Sequence, residues 1–389
     1  MAVLQSLQKK ITKLKEQATA GLLVQEHIGR RAWLIVTYNG KDISESLAQY
    51  VLSFSYTDNL TGQVDDISIT LEDRAELWEA DWMPERGATL DITICTYNWS
   101  DLYSEEQDLQ LGKFEIDELE VSSAPNVVTI KAVAISISDD STLRSTLRST
   151  LRSHTWENIS VQKAANDIAW QNGMKLQWYC DDNPNIDKLE QNDESDLDVL
   201  QKICDDAGFA LKVTTDTIII FDVEKFEKEN VYAEYYHPGT TILNIVENQS
   251  KPVQTDALLN YSFKAKIRDV YKKCHVKYAK DKDKSVIEST FIAPDKKEKE
   301  GATLEVHQQV SSQAEADRLA KKKLREKNCE EFTGSFASDG NMGLCAGETI
   351  EMLGFGNFSG KYIITQAKHD ISSSGFTSSV EIRKCLDGY

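Results

Sequence analysis

Gly87-Ala-Thr-Leu-Asp-Ile and Gly347-Glu-Thr-Ile-Glu-Met are two stretches that read alike, and a second matched pair follows them, Gly112-Lys-Phe-Glu-Ile and Gly360-Lys-Tyr-Ile-Ile. Each glycine suits a sharp turn into a strand, because only glycine takes a positive φ without steric cost. Each Lys-aromatic segment can bury alternate side chains. Both halves then pass through a small-residue turn, Ser122-Ser-Ala-Pro-Asn or Ser372-Ser-Ser-Gly, into a final strand, 127–133 or 377–383. The spacers differ, 25 residues between the first pair of glycines and 13 between the second, as expected when loops vary more than the strands they join. The pattern predicts two copies of one antiparallel β-barrel flanking an insertion. Chance likeness between two strand-turn-strand units is the competing explanation.

Working outward, residues 32–38, 52–56, 67–71, 89–96, 113–121 and 127–137 alternate or are β-branched and read as strands, with Asn39-Gly40 as a tight hairpin turn. Residues 73–82 read as a short helix. Between the halves the character changes to α/β. Val161, Ala164, Ala165, Ile168 and Ala169 form one face of a helix that stops at Gly173. A strand follows at 175–179, then a second helix from Ser195 to Gly208 carrying Leu197, Leu200, Ile203 and Cys204, then a hairpin of 209–213 and 217–221. Beyond residue 240, strands are expected at 270–278, 286–291, 304–310, 349–353, 361–370 and 377–383. Ser312 and Glu315 make a capping box for a helix whose Ala316, Ala320 and Leu324 share a face. The fold class is therefore α+β, mainly β: two antiparallel β-barrels and a small α/β module. The domain expectation is an N-terminal helical arm over 1–30, a first barrel over 31–140, the α/β insertion over 141–230 and a second barrel over 231–389.

Two segments suggest contact with other subunits. Leu4, Leu7, Ile11 and Leu14 follow the 3-4-3 spacing of a helical seam, which would either dock on its own domain or meet another chain. Ser-Thr-Leu-Arg occurs three times over 141–152. On a helix, Arg144, Arg148 and Arg152 would form a cationic stripe for a carboxylate-rich partner; the alternative is a solvated linker.

The chain has 389 residues, with 44 Lys and Arg against 63 Asp and Glu, for a net charge of −19. Such an excess of acid disfavours anionic membranes and nucleic acid as non-specific partners. Mean hydropathy is −0.44 and no apolar run reaches the roughly 20 residues of a membrane helix. The N-terminus alternates apolar and charged residues and is not expected to be a signal peptide. Seven dispersed cysteines without a C-x-x-C pair suggest reduced thiols and no zinc ribbon. Residues 65–85 hold eight acids against one base and 181–206 hold ten against two, but as surface and helix N-terminal charge, not as a catalytic pair. Residues 264–284 carry nine bases interleaved with Phe263, Tyr271 and Tyr278, an outline that strand alternation explains as well as nucleic-acid binding does. No catalytic, cofactor or metal constellation stands out.

Taken in order, Tyr38-Asn-Gly-Lys-Asp-Ile-Ser, Tyr56-Thr-Asp, Asp65-Asp-Ile-Ser-Ile-Thr-Leu-Glu-Asp, Trp156-Glu-Asn-Ile-Ser, Gln191 to Phe209, Ala346-Gly-Glu-Thr-Ile and Gly360-Lys-Tyr-Ile-Ile through His369 resemble the phage late control protein D family. These are baseplate hub proteins of contractile tails and related injection systems. The resemblance implies tube-type barrels and a non-enzymatic homotrimer. In that trimer, two barrels per chain make a pseudo-sixfold ring between a hexameric tail tube, or a tube initiator, and a trimeric spike. It further implies contact with a tape measure protein and other baseplate proteins, and a place in the baseplate of a virion or tail-like particle, phage or bacteriocin, assembled in the bacterial host cytoplasm. The chain stops at Tyr389 without a spike barrel, so a separate spike protein is expected. The alternative is a tail-associated protein that binds or degrades the cell wall.

Overall fold

The computed structural model describes residues 29–99, 105–134, 147, 150–214, 217–238, 258–279, 286–294, 302–308, 310 and 312–389. In chain order the elements are β1 (Arg31–Tyr38), β2 (Lys41–Asp42), α1 (Ser44–Ala48), β3 (Val51–Asn59), β4 (Asp66–Glu72), β5 (Thr89–Tyr97), β6 (Gln107–Ser122) and β7 (Val127–Ala134). Then come β8 (Leu151–Ser160), α2 (Val161–Gln171), β9 (Lys175–Tyr179), β10 (Asn185–Ser195), α3 (Asp196–Ala207), β11 (Ala210–Val213), β12 (Thr217–Phe221), α4 (Val223–Lys228) and β13 (Ala233–Tyr236). The rest are β14 (Leu258–Ala265), β15 (Tyr271–Ala279), β16 (Val286–Ile292), β17 (Ala302–Val306), α5 (Gln313–Asn328), β18 (Phe332–Asp339), β19 (Thr349–Leu353), β20 (Gly360–Ser372) and β21 (Gly375–Lys384).

The chain divides into two compact units, residues up to 50 with 89–112, and 51–88 with 113–389. In the first, β1 pairs antiparallel with β5 and turns through Asn39 and Gly40 into β2. Both turn residues have positive φ, 46° and 81°, as the asparagine-glycine hairpin requires. Val36, Leu90, Ile92 and Ile94 alternate to one buried face.

The second unit carries the repeat. One set of strands pairs in the order β3-β4-β7-β6, another in the order β14-β18-β21-β20, every pair antiparallel. The registers coincide. In the first set Phe54 faces Ile69, Ile69 faces Ile130 and Ile130 faces Leu119. In the second Tyr261 faces Phe336, Phe336 faces Val380 and Val380 faces Ala367. The irregularities coincide as well. A bulge sits between Val51 and Ser53 in β3 and between Leu258 and Asn260 in β14; another sits between Ile116 and Glu118 in β6 and between Ile364 and Gln366 in β20. Bulges re-aim a strand and pin its register, so two shared bulges are stronger evidence of one duplicated unit than shared strand order alone. Gly87, Gly112, Gly347 and Gly360 all hold positive φ, between 75° and 129°, the conformation their placement in the repeat called for.

The architecture is mainly β and antiparallel, as expected, and holds a small α/β part. Among the described residues these strands pair in an open order, and closure into barrels is not seen. The α/β part packs α2 and α3 on β9, β11 and β12 around Ala165, Ile168, Leu200, Ile203 and Ile218. Gly208 ends α3 in the left-handed conformation, φ 85°. The stretch read as a second barrel holds two separate cores. One packs β13 and β18 to β21 around Tyr235, Phe336 and Tyr362; the other packs α5 on β15, β16 and β17, with Tyr389 buried against it. This second core lies between β14 and β18, where the first repeat has only the short turn from β3 to β4. Ser312 caps α5 by accepting from the Glu315 amide.

Residues 73–82 differ from expectation: they form successive turns, not a helix. The Asp73 carboxylate accepts from the amides of Leu77 and Trp78, and Glu76 sits at φ 53°, outside the helical region.

Candidate functional site: the seam between the repeats

The two repeats meet strand to strand. The outer edge of β20 pairs antiparallel with β3, from Gln366 opposite Asn59 to Ser372 opposite Ser53. Past its bulge, β20 therefore pairs with β21 on one side and β3 on the other, and the two strand sets form one continuous sheet. Phe54 and Tyr56 of β3 are buried at 1% and 8% exposure, and His369 of β20 at 0%. The His369 ring stacks on Tyr56 with centroids 6.1 Å apart, and its Nδ1 lies 2.9 Å from Ser378 Oγ. Burial holds the His369 imidazole down to about 4, so it is neutral near pH 7.

A buried ionic network fastens the α/β part to this seam. Lys212 of β11 pairs with the Asp58 carboxylate of β3, reaches Asp65 Oδ2 at 3.4 Å and donates to the Asn59 carbonyl at 3.1 Å. Asp58 Oδ2 also accepts from the Ala346 amide at 2.8 Å, and Asp65 Oδ1 from the Asn59 amide at 2.9 Å. Gln366 Nε2 donates to Asn59 Oδ1 across the seam at 2.8 Å. Burial pushes the Asp65 carboxyl up to about 6 against the pull of Lys212. Its oxygens are engaged inside the network, which suits a structural clamp and not a general acid facing substrate.

Two further buried acids tie elements together. Glu227 of α4 forms ion pairs with Arg325 of α5 at 2.7 Å and with Arg383 of β21 at 2.6 Å. Asp196, fully buried at the start of α3, accepts from Arg152, Asn172 and Gln191 at 2.7–2.9 Å. In such sites the charges must be paired, since an unpaired buried carboxylate is strongly destabilising.

Of the interface candidates, Leu4, Leu7, Ile11, Leu14, Arg144 and Arg148 lie outside the described residues. Arg152 is described, and it is on β8, not on a helix; its guanidinium is committed to Asp196 and Gln171 of the same chain. Leu151 is exposed beside it. The helix read for the repeat therefore does not hold at Arg152, where the chain is already a strand.

Other titratable groups are engaged within the fold. Asp73 caps a turn, Cys274 is buried in the core of β15, and His275 Nδ1 lies 2.8 Å from Glu305. In the first unit Cys95, Glu106 and Asp108 bring ligand atoms within 4.8 Å of one another. Burial, with the Asp108 hydrogen bond next, pushes the Cys95 thiol up to about 12, so it keeps its proton and donates to a carboxylate. Among the described residues no helix is long and apolar enough to cross a membrane.

Sequence reasoning missed the Lys212 network, whose partners lie far apart in the chain, and the seam itself. The shared spacing of Gly112-Lys-Phe and Gly360-Lys-Tyr was the only signal that could have placed the strand that makes it.

No protein-family model matches the chain. Over 188 residues, 48% of the chain, it is 26% identical to a probable baseplate hub protein of Escherichia phage 186. Over 179 residues, 45% of the chain, it is 26% identical to a probable baseplate hub protein of Escherichia phage P2. The matched parts span 43% and 41% of those relatives, under half their length. The fold matches a 43 kDa tail protein of prophage MuSo2 from Shewanella oneidensis at TM-score 0.65 and 10% identity, covering 92% of this chain and 100% of that one. A tail protein from Neisseria meningitidis MC58 gives 0.62 at 12% identity, with 92% and 97% covered. The Escherichia coli c3393 protein, a type VI secretion component described as similar to bacteriophage T4 tail proteins gp27 and gp5, gives 0.51 at 12% identity, with 91% and 78% covered. At such identities the structures speak for the fold alone, and the sequence matches carry the kinship: this chain is related to the phage baseplate hub proteins.

Proposed function

We propose that this chain is a structural, non-enzymatic hub of a phage tail or tail-like particle, and that three copies form a ring with six similar sectors. Such a ring would join a hexameric tail tube to a trimeric spike. The observation that carries this reading is the duplicated register: two strand sets with the same order, the same pairing register and bulges at the same positions within one chain. A chain that presents the same unit twice gives sixfold contacts to one partner while keeping threefold symmetry toward another. Heterologous contacts whose rotation closes produce rings of this kind. The similarity to baseplate hub proteins supports a place in the baseplate of a tail particle, and the net charge of −19 suits a passage that must not retain an acidic cargo. Buried carboxylates committed to Lys212, Arg152, Arg325 and Arg383 favour a scaffold over a wall-degrading enzyme. Sedimentation of the purified chain over a wide concentration range, alone and with its tube protein, tests this. A trimer is the expected species, and a monomer at every concentration that cleaves peptidoglycan would overturn it.

A further inference from the structure

The seam between the repeats is a template for a contact the single chain leaves unmade. Each repeat begins with a strand equivalent to β3 and ends with one equivalent to β20. Inside the chain the last strand of the second repeat pairs with the first strand of the first. The other two ends are β6, past its bulge, and β14, which is the terminal strand of the sheet order among the described residues.

These two edges are exposed where their counterparts at the internal seam are buried. Tyr261 is 41% exposed and its equivalent Phe54 is 1%; Val121 is 38% exposed and its equivalent His369 is 0%. Exposed strand edges with apolar residues invite pairing with another chain. The shared register also says which residues would meet. Gln366 opposite Asn59 becomes Glu118 opposite Lys266, and Lys368 opposite Thr57 becomes Glu120 opposite Lys264. His369 opposite Tyr56 becomes Val121 opposite Phe263. The internal pairs are neutral or singly charged, whereas the transposed pairs are acid against base at two successive positions on one face. Opposite charges directly across two strands stabilise their pairing, and like charges oppose it. Within the chain Glu118 holds Lys131 at 2.8 Å and Lys266 holds Glu330, both pairs solvent-exposed and therefore readily exchanged.

We infer that β6 of one copy, over Glu118 to Ser122, pairs antiparallel with β14 of a second copy, over Ser262 to Lys266, in the register of the internal seam. This rests on the ring proposed above and names its subunit contact. The contact is heterologous, edge to opposite edge, so repetition of the internal relation carries the sheet from copy to copy.

Charge reversal tests it in the full chain. Glu118→Lys with Glu120→Lys, or Lys264→Glu with Lys266→Glu, is expected to weaken self-association by at least about 100-fold, since like charges facing each other across an interface cost several kcal/mol. All four reversals in one chain are expected to restore it. Leu119→Cys with Ala265→Cys is expected to give disulfide-linked multimers under oxidation that neither single variant gives. If the wild-type chain forms a trimer and the reversals leave it intact, the edge contact is wrong and the ring reading stands. If the wild-type chain stays monomeric at all concentrations and the double-cysteine variant gives no interchain product, both fail.

Discussion

The internal seam and the two outer edges are built on the same backbone and differ in what the neighbouring strand provides. At the seam, β3 lies between β4 and β20, and its Phe54 and Tyr56 are buried. At the outer edge, among the described residues β14 pairs with β18 on one side only, and Tyr261 remains partly in water. The side-chain chemistry diverges in parallel. The seam carries a buried network of Asp58, Asp65 and Lys212, while the position equivalent to Asp58 is Ala265. A permanent contact can hold buried charges because its partners fold together; a contact made between chains is better served by exposed Lys and Glu that are solvated beforehand and steer the encounter.

The largest effect separating the two regions is expected from Lys212→Met. It leaves two buried carboxylates facing each other at the seam and should cost about 3–5 kcal/mol in urea unfolding. The loss should be smaller at pH 5 than at pH 8, because the Asp65 carboxyl already titrates near 6 and can take up a proton. Next, Phe54→Ala should cost about 3–5 kcal/mol through the cavity it opens, whereas Tyr261→Ala at the equivalent position should cost no more than about 1 kcal/mol in the unassembled chain. Equal losses would mean that the two positions are equally buried in solution.

His369 gives the seam a pH dependence that the outer edges, with Val121 in its place, lack. Its folded value of about 4 lies below the ordinary 6.5, so its contribution is present above pH 6.5 and is lost as the pH falls toward 4. The full span is worth about 3 kcal/mol at 1.36 kcal/mol per unit. Asp65, raised to about 6, acts with the opposite sign, stabilising the fold as the pH falls through the same window. The informative quantity is therefore the difference between wild type and His369→Gln, whose stability should decline less between pH 6.5 and 4. Smallest is Ser312→Ala, which removes the α5 cap and should cost about 1 kcal/mol. It should loosen amide protection in α5 and β15 while leaving β3 and β20 unchanged, since that core lies in the segment between β14 and β18 and not at the seam.

The repeat could be read in the sequence because glycine at a positive φ and alternation before and after it are local signals. Residues 349–353 and α5 were legible for the same reason: β-branched and apolar alternation, and a Ser-x-x-Glu cap. β14 and β18 were not expected. In Leu-Leu-Asn-Tyr-Ser-Phe-Lys-Ala the bulge between Leu258 and Asn260 breaks the alternation and leaves only a short alternating run, and Phe-Thr-Gly-Ser-Phe-Ala-Ser-Asp is dominated by small polar residues. Gly334 there is held close to the neighbouring strand; a Cβ would come within 2.8 Å of the Ser262 carbonyl oxygen. The pairing of β8 with β10 was missed because the Ser-Thr-Leu-Arg repeat mimics helical spacing, while the strand begins at Leu151 within it. Neither the Lys212 network nor the charge match between Glu118, Glu120, Lys264 and Lys266 has a local signature. Both become visible only once register is known.

The central claim, that one strand-to-strand contact is used inside the chain and again between chains, is tested most directly by backbone amide exchange on the assembled and unassembled protein. The alternate amides of 118–122 and 262–266 that point away from β7 and β18 should exchange fast in the free chain and become as protected as those of 366–372 and 53–59 on assembly. An assembled oligomer in which those two outer segments exchange as fast as in the free chain would contradict it.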